Sequence, residues 1–260
     1  MDTEKGIMNT ERESLKNTNR ENSPDRQQDP QQTLPGGAGL REMLRDDRVL
    51  ALCELSGDLL FHKIPHEKIP RLVDGSLSAG REAAKAYRGT DMEALYAQKD
   101  IKILWKESGE TRIGVTWRGQ SAFGKNGCEV TLVQESIRTL AENSTPLWED
   151  GPSGNDPLLS PQDALQLHLA HEFFHYLEYE SSDPVSGRMD EVVTFRLFGW
   201  ERHAHINKCS EVAAHAFAKE VMGLPVLPNY FDYLYLIHTE KMTRKEFEAF
   251  LAHSQSVLNR

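Results

Sequence analysis

The sequence contains few cysteines and no long apolar run. Its three cysteines, Cys53, Cys128 and Cys209, are widely spaced and form no C-x-x-C pair, which argues against a disulfide framework and indicates reduced thiols. No stretch approaches the roughly 18 consecutive apolar residues of a membrane helix, and the N-terminus is polar rather than an apolar signal core. We therefore expect a cytoplasmic protein that does not act at a membrane.

Positive charge is scarce relative to negative charge. The chain has 30 lysines and arginines against 40 acidic residues, a formal net charge of −10. Non-specific affinity for nucleic acids comes mainly from lysine and arginine, so this balance argues against a surface built to neutralise phosphates. A basic recognition helix is not evident either. We expect no direct binding to nucleic acid.

The first 39 residues offer almost nothing that a core could bury. They are rich in Asn, Gln, Arg, Glu and Pro, a composition typical of a disordered polar tail. Residues 40–90 carry apolar side chains at helical spacing and predict a helical N-terminal segment, interrupted by a loop over residues 64–75 and resuming at a Ser78 cap. The sequence leaves open whether these helices pack on the remaining domain, residues 91–260, or form a separate lobe.

Short apolar segments after residue 100 predict a small twisted sheet. Alternation over residues 101–105 and 113–117, around a Ser-Gly-Glu turn, predicts a β-hairpin. A Gly-rich loop over residues 119–127 then leads to a third strand candidate at residues 129–133. The polar residues 143–156, rich in Pro and Gly, predict a surface loop.

The strongest helix signal begins at Ser160. Ser160, Pro161 and Asp163 supply a hydroxyl cap, a proline at the first helical position and an acid in the first turn. We expect a helix from there to about Tyr179, with apolar residues at i, i+4 and i+8 that give it a core-facing side.

Two further helices are predicted towards the C-terminus. Asn207 or Ser210 can cap a helix that runs to Met222, and Thr243 with Glu246 forms a capping box for a terminal helix. Together with the small sheet, these helices predict an α+β fold.

The helix predicted after Ser160 contains the sequence His171-Glu172-Phe173-Phe174-His175. Its two histidines are four residues apart, so both imidazoles lie on one helical face and can converge on one cation. Glu172 lies beside that face, where its carboxylate can reach a water on the metal without binding the ion. A metzincin would also need glycine and histidine three and six residues after the motif, but Glu178 and Ser181 stand there.

Two histidines need a third partner, because catalytic zinc sites offer three protein ligands and keep a fourth position for water. Glu211 is the favoured candidate, since it opens a second helix whose first turn could face the motif helix. As in thermolysin-like enzymes, the residue one turn further along, His215, would hydrogen-bond a ligand histidine. Four residues between the two helices are rival ligands: Asp190, Glu191, His203 and His205. The two histidines among them are also candidate donors to a transition-state oxyanion.

The motif H-E-F-F-H, followed by E-V-A-A-H-A-F-A-K-E-V-M-G-L-P, resembles the ImmA/IrrE family of zinc metallopeptidases. The family pattern is H-E-x-x-H and then E-x-x-A-N/D-x-F-A, and the resemblance covers about residues 101–225. It implies a zincin-like fold of the gluzincin type, with one zinc ion held by His171, His175 and Glu211 and with Glu172 as the acid/base. It also implies cleavage of a cytoplasmic protein, often a helix-turn-helix repressor. His215 stands where the family has Asn or Asp, and no helix-turn-helix module is evident here.

We therefore expect a zinc-dependent metalloendopeptidase, with the strand at residues 129–133 at the rim of its cleft, paired with an extended substrate. The alternative is a zinc-binding regulatory or interaction protein that keeps the peptidase fold but does not cleave a substrate. Glu172 favours the enzyme, because a binding module needs ligands but no base. Another divalent ion, such as manganese, also remains open, since ligand type narrows the choice of metal without fixing it.

Overall fold

The computed structural model describes residues 37–107, 119–125, 127–147 and 157–260. Helices make up most of this part of the chain, and two small sheets complete a mixed α+β fold. No helix in these ranges is both long enough and apolar enough to cross a bilayer. The predicted disordered tail lies outside the described residues, except for its last three positions, which belong to the first helix.

The elements follow one another in a helix-rich order. The helices are α1 (Gly37–Arg45), α2 (Asp47–Leu55), α3 (Ile69–Ala84), α4 (Met92–Gln98), α5 (Gln134–Glu142), α6 (Pro161–Ser181), α7 (Val185–Arg188), α8 (Lys208–Met222), α9 (Asn229–His238) and α10 (Arg244–Leu258). The strands are β1 (Ile101–Lys106), β2 (Gly119–Gly124), β3 (Gly127–Val133), β4 (Val192–Leu197) and β5 (Trp200–Ala204). Short 3₁₀ turns at Phe61–Lys63 and His66–Lys68 precede α3.

Helix α3 begins earlier than the sequence pattern predicts. The loop expected over residues 64–75 is instead partly helical, and the cap expected at Ser78 lies inside α3. Pro70 stands in the first turn, where its missing N–H is not needed. Gly75 is helical because tertiary packing outweighs its weak helix propensity, and a Cβ there would lie 3.0 Å from the sulfur of Met189.

The N-terminal helices pack on the helices that carry the motif residues. One hydrophobic cluster includes buried side chains from α1 to α3 and from α6, α8 and α10. The closest approach is at Gly80 of α3, where an added Cβ would overlap the carbonyl of Ala213 in α8 and lie 2.9 Å from the Cβ of Ala216. Of the two arrangements left open by the sequence, packing on the remaining domain is the one observed.

The three-stranded sheet has the order β1-β3-β2, with β1 parallel and β2 antiparallel to β3. Strand β1 and strand β3 contain the segments predicted at residues 101–105 and 129–133. The predicted strand at residues 113–117 lies outside the described residues. The Gly-rich loop expected over residues 119–127 is wrong, because Gly119–Gly124 forms β2 and β3 begins at Gly127. Its hydrogen bonds come from pairing with β3, which local propensity does not reveal.

Strand β3 is the central strand of this sheet, which corrects the expectation that residues 129–133 lie at the rim of a cleft. Its register pairs Val130 with Ile103 on one side and with Ser121 on the other. A strand with neighbours on both sides has no hydrogen bonds left for an added strand. Within the described part of the chain, β1 and β2 each pair only with β3, so these two strands are the edges of the sheet.

Strands β4 and β5 form an antiparallel hairpin between α6 and α8. The turn residues Phe198 and Gly199 both have positive φ, 47° and 83°, the sign that a tight two-residue hairpin turn requires. The side chains of Phe195, Leu197, Phe198 and Trp200 at the tip are exposed. We did not predict this hairpin, because its Phe-Gly turn lacks the Asn or Asp that usually marks such turns.

Candidate metal centre

Helix α6, which carries the motif, begins where the sequence predicts. The Ser160 hydroxyl accepts from the N–H of Asp163 at 3.1 Å, and the Asp163 carboxylate accepts from the N–H of Ser160 at 2.9 Å. Pro161 occupies the first turn. This reciprocal cap satisfies donors that a helix otherwise leaves open, and it fixes the first residue of a helix that continues to Ser181.

Helix α8 is capped by a distant residue rather than by its own first residues. The N–H of Lys208 donates to the Asp58 carboxylate at 3.0 Å, whereas Asn207 makes no side-chain cap and the Ser210 hydroxyl points elsewhere. Asn207 occupies the predicted N-cap position of α8, but the capping hydrogen bond comes from Asp58 instead of from Asn207 or Ser210. Glu211 lies in the first turn of α8, where the positive end of the helix dipole favours a carboxylate.

The two phenylalanines inside the motif set how α6 meets α8. Phe173 and Phe174 are buried, and their rings lie 6.3 Å and 5.6 Å from the ring of Phe217 in α8. Ring pairs at these separations add to the free energy gained from burial alone. Helices α6 and α8 are thus held together by Phe173 and Phe174, which lie between the two histidines, and by Phe217, which follows Glu211.

This packing brings His171, His175 and Glu211 into one cluster. Nε2 of His171 lies 3.3 Å from Oε2 of Glu211, and Nε2 of His175 lies 3.5 Å from Oε1. One ligand atom from each of the three residues lies within 4.8 Å of the other two, which is compact enough for one small cation. In the described part of the chain, no other group of three His, Cys, Asp or Glu side chains comes together in this way. The cluster could hold a metal ion.

The pKa values of the two histidines in the cluster are shifted in opposite directions. Burial lowers the pKa of His171 to about 4, although Glu211 opposes the shift. Burial also acts to lower the pKa of His175, but the carboxylates of Glu211, Glu178 and Glu172 outweigh it and raise that pKa to about 9. The histidines in turn hold the pKa of Glu211 well below its ordinary value, against the effect of its own burial. Metal ions bind deprotonated carboxylates and neutral imidazoles, and the lowered pKa values of Glu211 and His171 favour these forms.

Glu178 orients His175, a role that the sequence did not assign to it. Nδ1 of His175 lies 3.0 Å from Oε2 of Glu178. The other oxygen, Oε1, accepts from the N–H of Val185 at 2.7 Å and from the hydroxyl of Ser210 at 2.7 Å. Carboxylates behind a ligand histidine fix its ring and raise its basicity. The i, i+3 spacing from His175 was a visible signal for this contact.

Glu172 is half-buried beside the cluster and meets the sheet. Its Oε2 accepts a hydrogen bond from the hydroxyl of Ser121 in β2. Nothing in the local sequence around Ser121 indicates this contact, because it depends on how β2 lies against α6. The carboxylate predicted to act as the base is therefore held by a strand in a segment whose Gly-rich sequence predicts a loop.

His215 lies against His171, but its partner is a residue of the N-terminal helices. The two imidazole rings are 4.7 Å apart, and Nε2 of His215 lies 3.7 Å from Oε2 of Glu54 in α2. Nδ1 of His215 is buried without a hydrogen-bond partner. The predicted hydrogen bond from His215 to a ligand histidine is replaced by ring contact with His171 and a polar contact with Glu54.

Glu54 also faces the start of α8. Nζ of Lys208 lies 2.8 Å from its Oε1. Burial acts to raise the pKa of Glu54, but His215 and Lys208 outweigh it and lower that pKa to about 2. The N-terminal segment therefore contributes a buried charge next to the cluster.

The rival ligands form contacts of their own outside the cluster. Asp190 lies 3.6 Å from Nζ of Lys68, and Glu191 lies 3.2 Å from Nε2 of His205 and 3.9 Å from Nδ1 of His203. His203 and His205 are both partly exposed at the base of the β4–β5 hairpin. Their role as oxyanion donors stays a prediction, whereas the three-residue cluster forms without any of the rivals.

Comparison with known proteins adds no identification to this geometry. No family model, no curated protein and no solved structure matches the chain. The functional argument therefore depends on the residues of the cluster and on what surrounds them.

Proposed function

We propose that the chain is a zinc-dependent metallopeptidase with a zincin-like domain, in which His171, His175 and Glu211 hold one zinc ion and Glu172 is the general base. The observation that carries the proposal is the convergence of two imidazole nitrogens and one carboxylate from α6 and α8, with a fourth side chain, Glu172, beside them. The resemblance of the motif segments to ImmA/IrrE peptidases supports the same reading.

The residues present fit a catalytic rather than a structural zinc site. Two histidines and one glutamate leave one coordination position for water, whereas structural sites usually close all four positions with Cys and His. His171 and Glu211 are partly accessible, and Glu178 orients His175 from behind. A zinc ion bound there would polarise a water molecule and the carbonyl of the scissile peptide bond.

Glu172 can carry out the proton transfers of the reaction. Because it is half-buried beside the cluster and is not among its three ligands, its carboxylate can take the proton of the attacking water. It can then pass that proton to the nitrogen of the leaving amine. The hydroxyl of Ser121 donates a hydrogen bond to Oε2 of this carboxylate.

Strand β2 is the part of the sheet that suits an extended protein substrate. It contacts α6 through Ser121 and Phe123, and among the described strands it pairs only with β3. A free strand edge binds an extended chain through main-chain hydrogen bonds. We propose a protein or peptide substrate, with a helix-turn-helix repressor as the class that the family resemblance implies.

The test compares the wild type with Glu172→Gln, an isosteric change that removes the base and leaves the ligands. Both proteins are loaded with zinc and incubated with peptides derived from a cell lysate, and new termini are identified by mass spectrometry. We expect cleavage by the wild type and a loss of at least about 100-fold in the variant, with one zinc bound to each. Zinc bound to both proteins with no wild-type cleavage would favour a zinc-binding interaction protein instead.

A further inference from the structure

Strand β2 presents alternate side chains to helix α6. Ser121 and Phe123 are half-buried, while Gln120 and Ala122 are exposed. This is the alternation that a strand shows when one of its faces is covered. The Phe123 ring lies 5.6 Å from the ring of Tyr176, so the covering element on that face is α6.

Phe123 anchors the strand at a second aromatic ring as well. It lies 5.7 Å from Tyr179, and Tyr176 in turn contacts Phe173 at 5.5 Å between ring centroids. The anchor is thus continuous with the buried aromatic cluster inside the motif. A shift of β2 along α6 would break these ring contacts.

The Ser121–Glu172 hydrogen bond and the Phe123–Tyr176 ring contact are separated by similar distances along β2 and along α6. Glu172 precedes Tyr176 by four residues on α6, a rise of about 6 Å, and Ser121 precedes Phe123 by two residues on β2, a rise of about 6.7 Å. The strand and the helix therefore advance by nearly the same distance between the aromatic contact and the hydrogen bond. Fixing Phe123 against Tyr176 places the hydroxyl of Ser121 at the carboxylate of Glu172.

We propose that Ser121 is a positioning residue for Glu172. Its hydroxyl donates to Oε2 and holds the carboxylate in one orientation beside the cluster. The inference rests on the proposed function, because it assigns Ser121 a purpose in the work of Glu172 as a base. The conformation of the Glu172 side chain can be measured in a protein that is not cleaving substrate.

The test uses three variants of the full-length, zinc-loaded protein. Ser121→Ala removes the donor, Ser121→Thr keeps a hydroxyl, and Ser256→Ala makes the same change at an exposed serine of α10 as the matched control. With a peptide that the wild type cleaves, we expect Ser121→Ala to lower kcat about tenfold, the scale of one hydrogen bond to a charged group. KM should stay unchanged, Ser121→Thr should recover most of the rate, and Ser256→Ala should match the wild type.

Crystal structures of the wild type, Ser121→Ala and Ser121→Thr provide the readout that does not need activity. Glu172 should occupy one conformer in the wild type and Ser121→Thr, and more than one in Ser121→Ala. Wild-type kcat in Ser121→Ala, or a single unchanged Glu172 conformer there, overturns the inference. If the wild type itself cleaves nothing, the proposed function fails, and the conformers of Glu172 still decide whether Ser121 positions it.

Discussion

Glu178 places a carboxylate oxygen 3.0 Å from Nδ1 of His175, one helical turn further along α6. When Nε2 of His175 binds a metal, Nδ1 carries the hydrogen of the ring and donates it to Glu178. The same carboxylate accepts from Val185 and Ser210, so it joins the motif helix to α7 and α8. The three side chains of the cluster are therefore held by a hydrogen-bond network as well as by the hydrophobic core.

The first prediction concerns this network. Glu178→Gln should lower the affinity for zinc by about 10- to 100-fold, the usual effect of losing such a partner. Glutamine has one acceptor oxygen, so its amide group would face either the N–H of His175 or the two donors on the other side. Affinity is measured by competition with a chromophoric chelator. Glu180→Gln, at an exposed acid on the same helix, is the control, and equal affinities for the two variants would remove Glu178 from this role.

The second prediction concerns the closest contact between α3 and α8. Gly80→Ala should lower the free energy of unfolding by about 2–3 kcal/mol, because its Cβ would overlap the backbone of Ala213. Gly75→Ala is the comparison, since its Cβ would meet only the flexible side chain of Met189 and alanine favours a helix. Urea unfolding of the wild type and both variants measures these free energies of unfolding. A Gly80→Ala protein as stable as Gly75→Ala would contradict the packing described here.

The third prediction concerns the buried charge of Glu54. Its pKa in the folded protein is about 2, against an ordinary value of 4.5, so its carboxylate stabilises the fold above pH 4.5 and loses that contribution as the pH falls towards 2. Glu54→Gln should therefore cost about 2–3 kcal/mol at pH 7, and the difference from the wild type should shrink at pH 3.5.

Chemical unfolding at the two pH values measures this difference. Glu82→Gln, an exposed acid paired with Lys85, should change stability by less than about 0.5 kcal/mol at either pH. A deficit in Glu54→Gln that stays constant between pH 7 and pH 3.5 would show that the charge of Glu54 is not its source.

The sequence predicted the features that depend on local pattern. The start of α6 could be foreseen because Ser160, Pro161 and Asp163 are adjacent in sequence and cap through local contacts. The convergence of His171 and His175 follows from helical spacing alone. Glu211 required a tertiary assumption, that the first turn of α8 faces α6, and the structure places its carboxylate between the two imidazoles.

The features that the sequence did not reveal depend on contacts between distant residues. Asp58 caps α8 from 150 residues away, and Ser121 meets Glu172 only because β2 lies along α6. Helix α3 passes through Gly80 because close packing against α8 needs a residue without a side chain there, although glycine has a weak helix propensity. The local sequence of β2 predicts a loop, because the hydrogen bonds that make this segment a strand come from β3.

The most direct test of the account is the metal content of the purified protein, measured by elemental analysis after exposure to zinc and removal of excess ion. The wild type and Glu172→Gln should each contain about one zinc per chain, whereas His171→Ala and Glu211→Ala should contain almost none, because three ligands define the site. Full zinc occupancy in Glu211→Ala, or none in the wild type, would contradict the proposed centre.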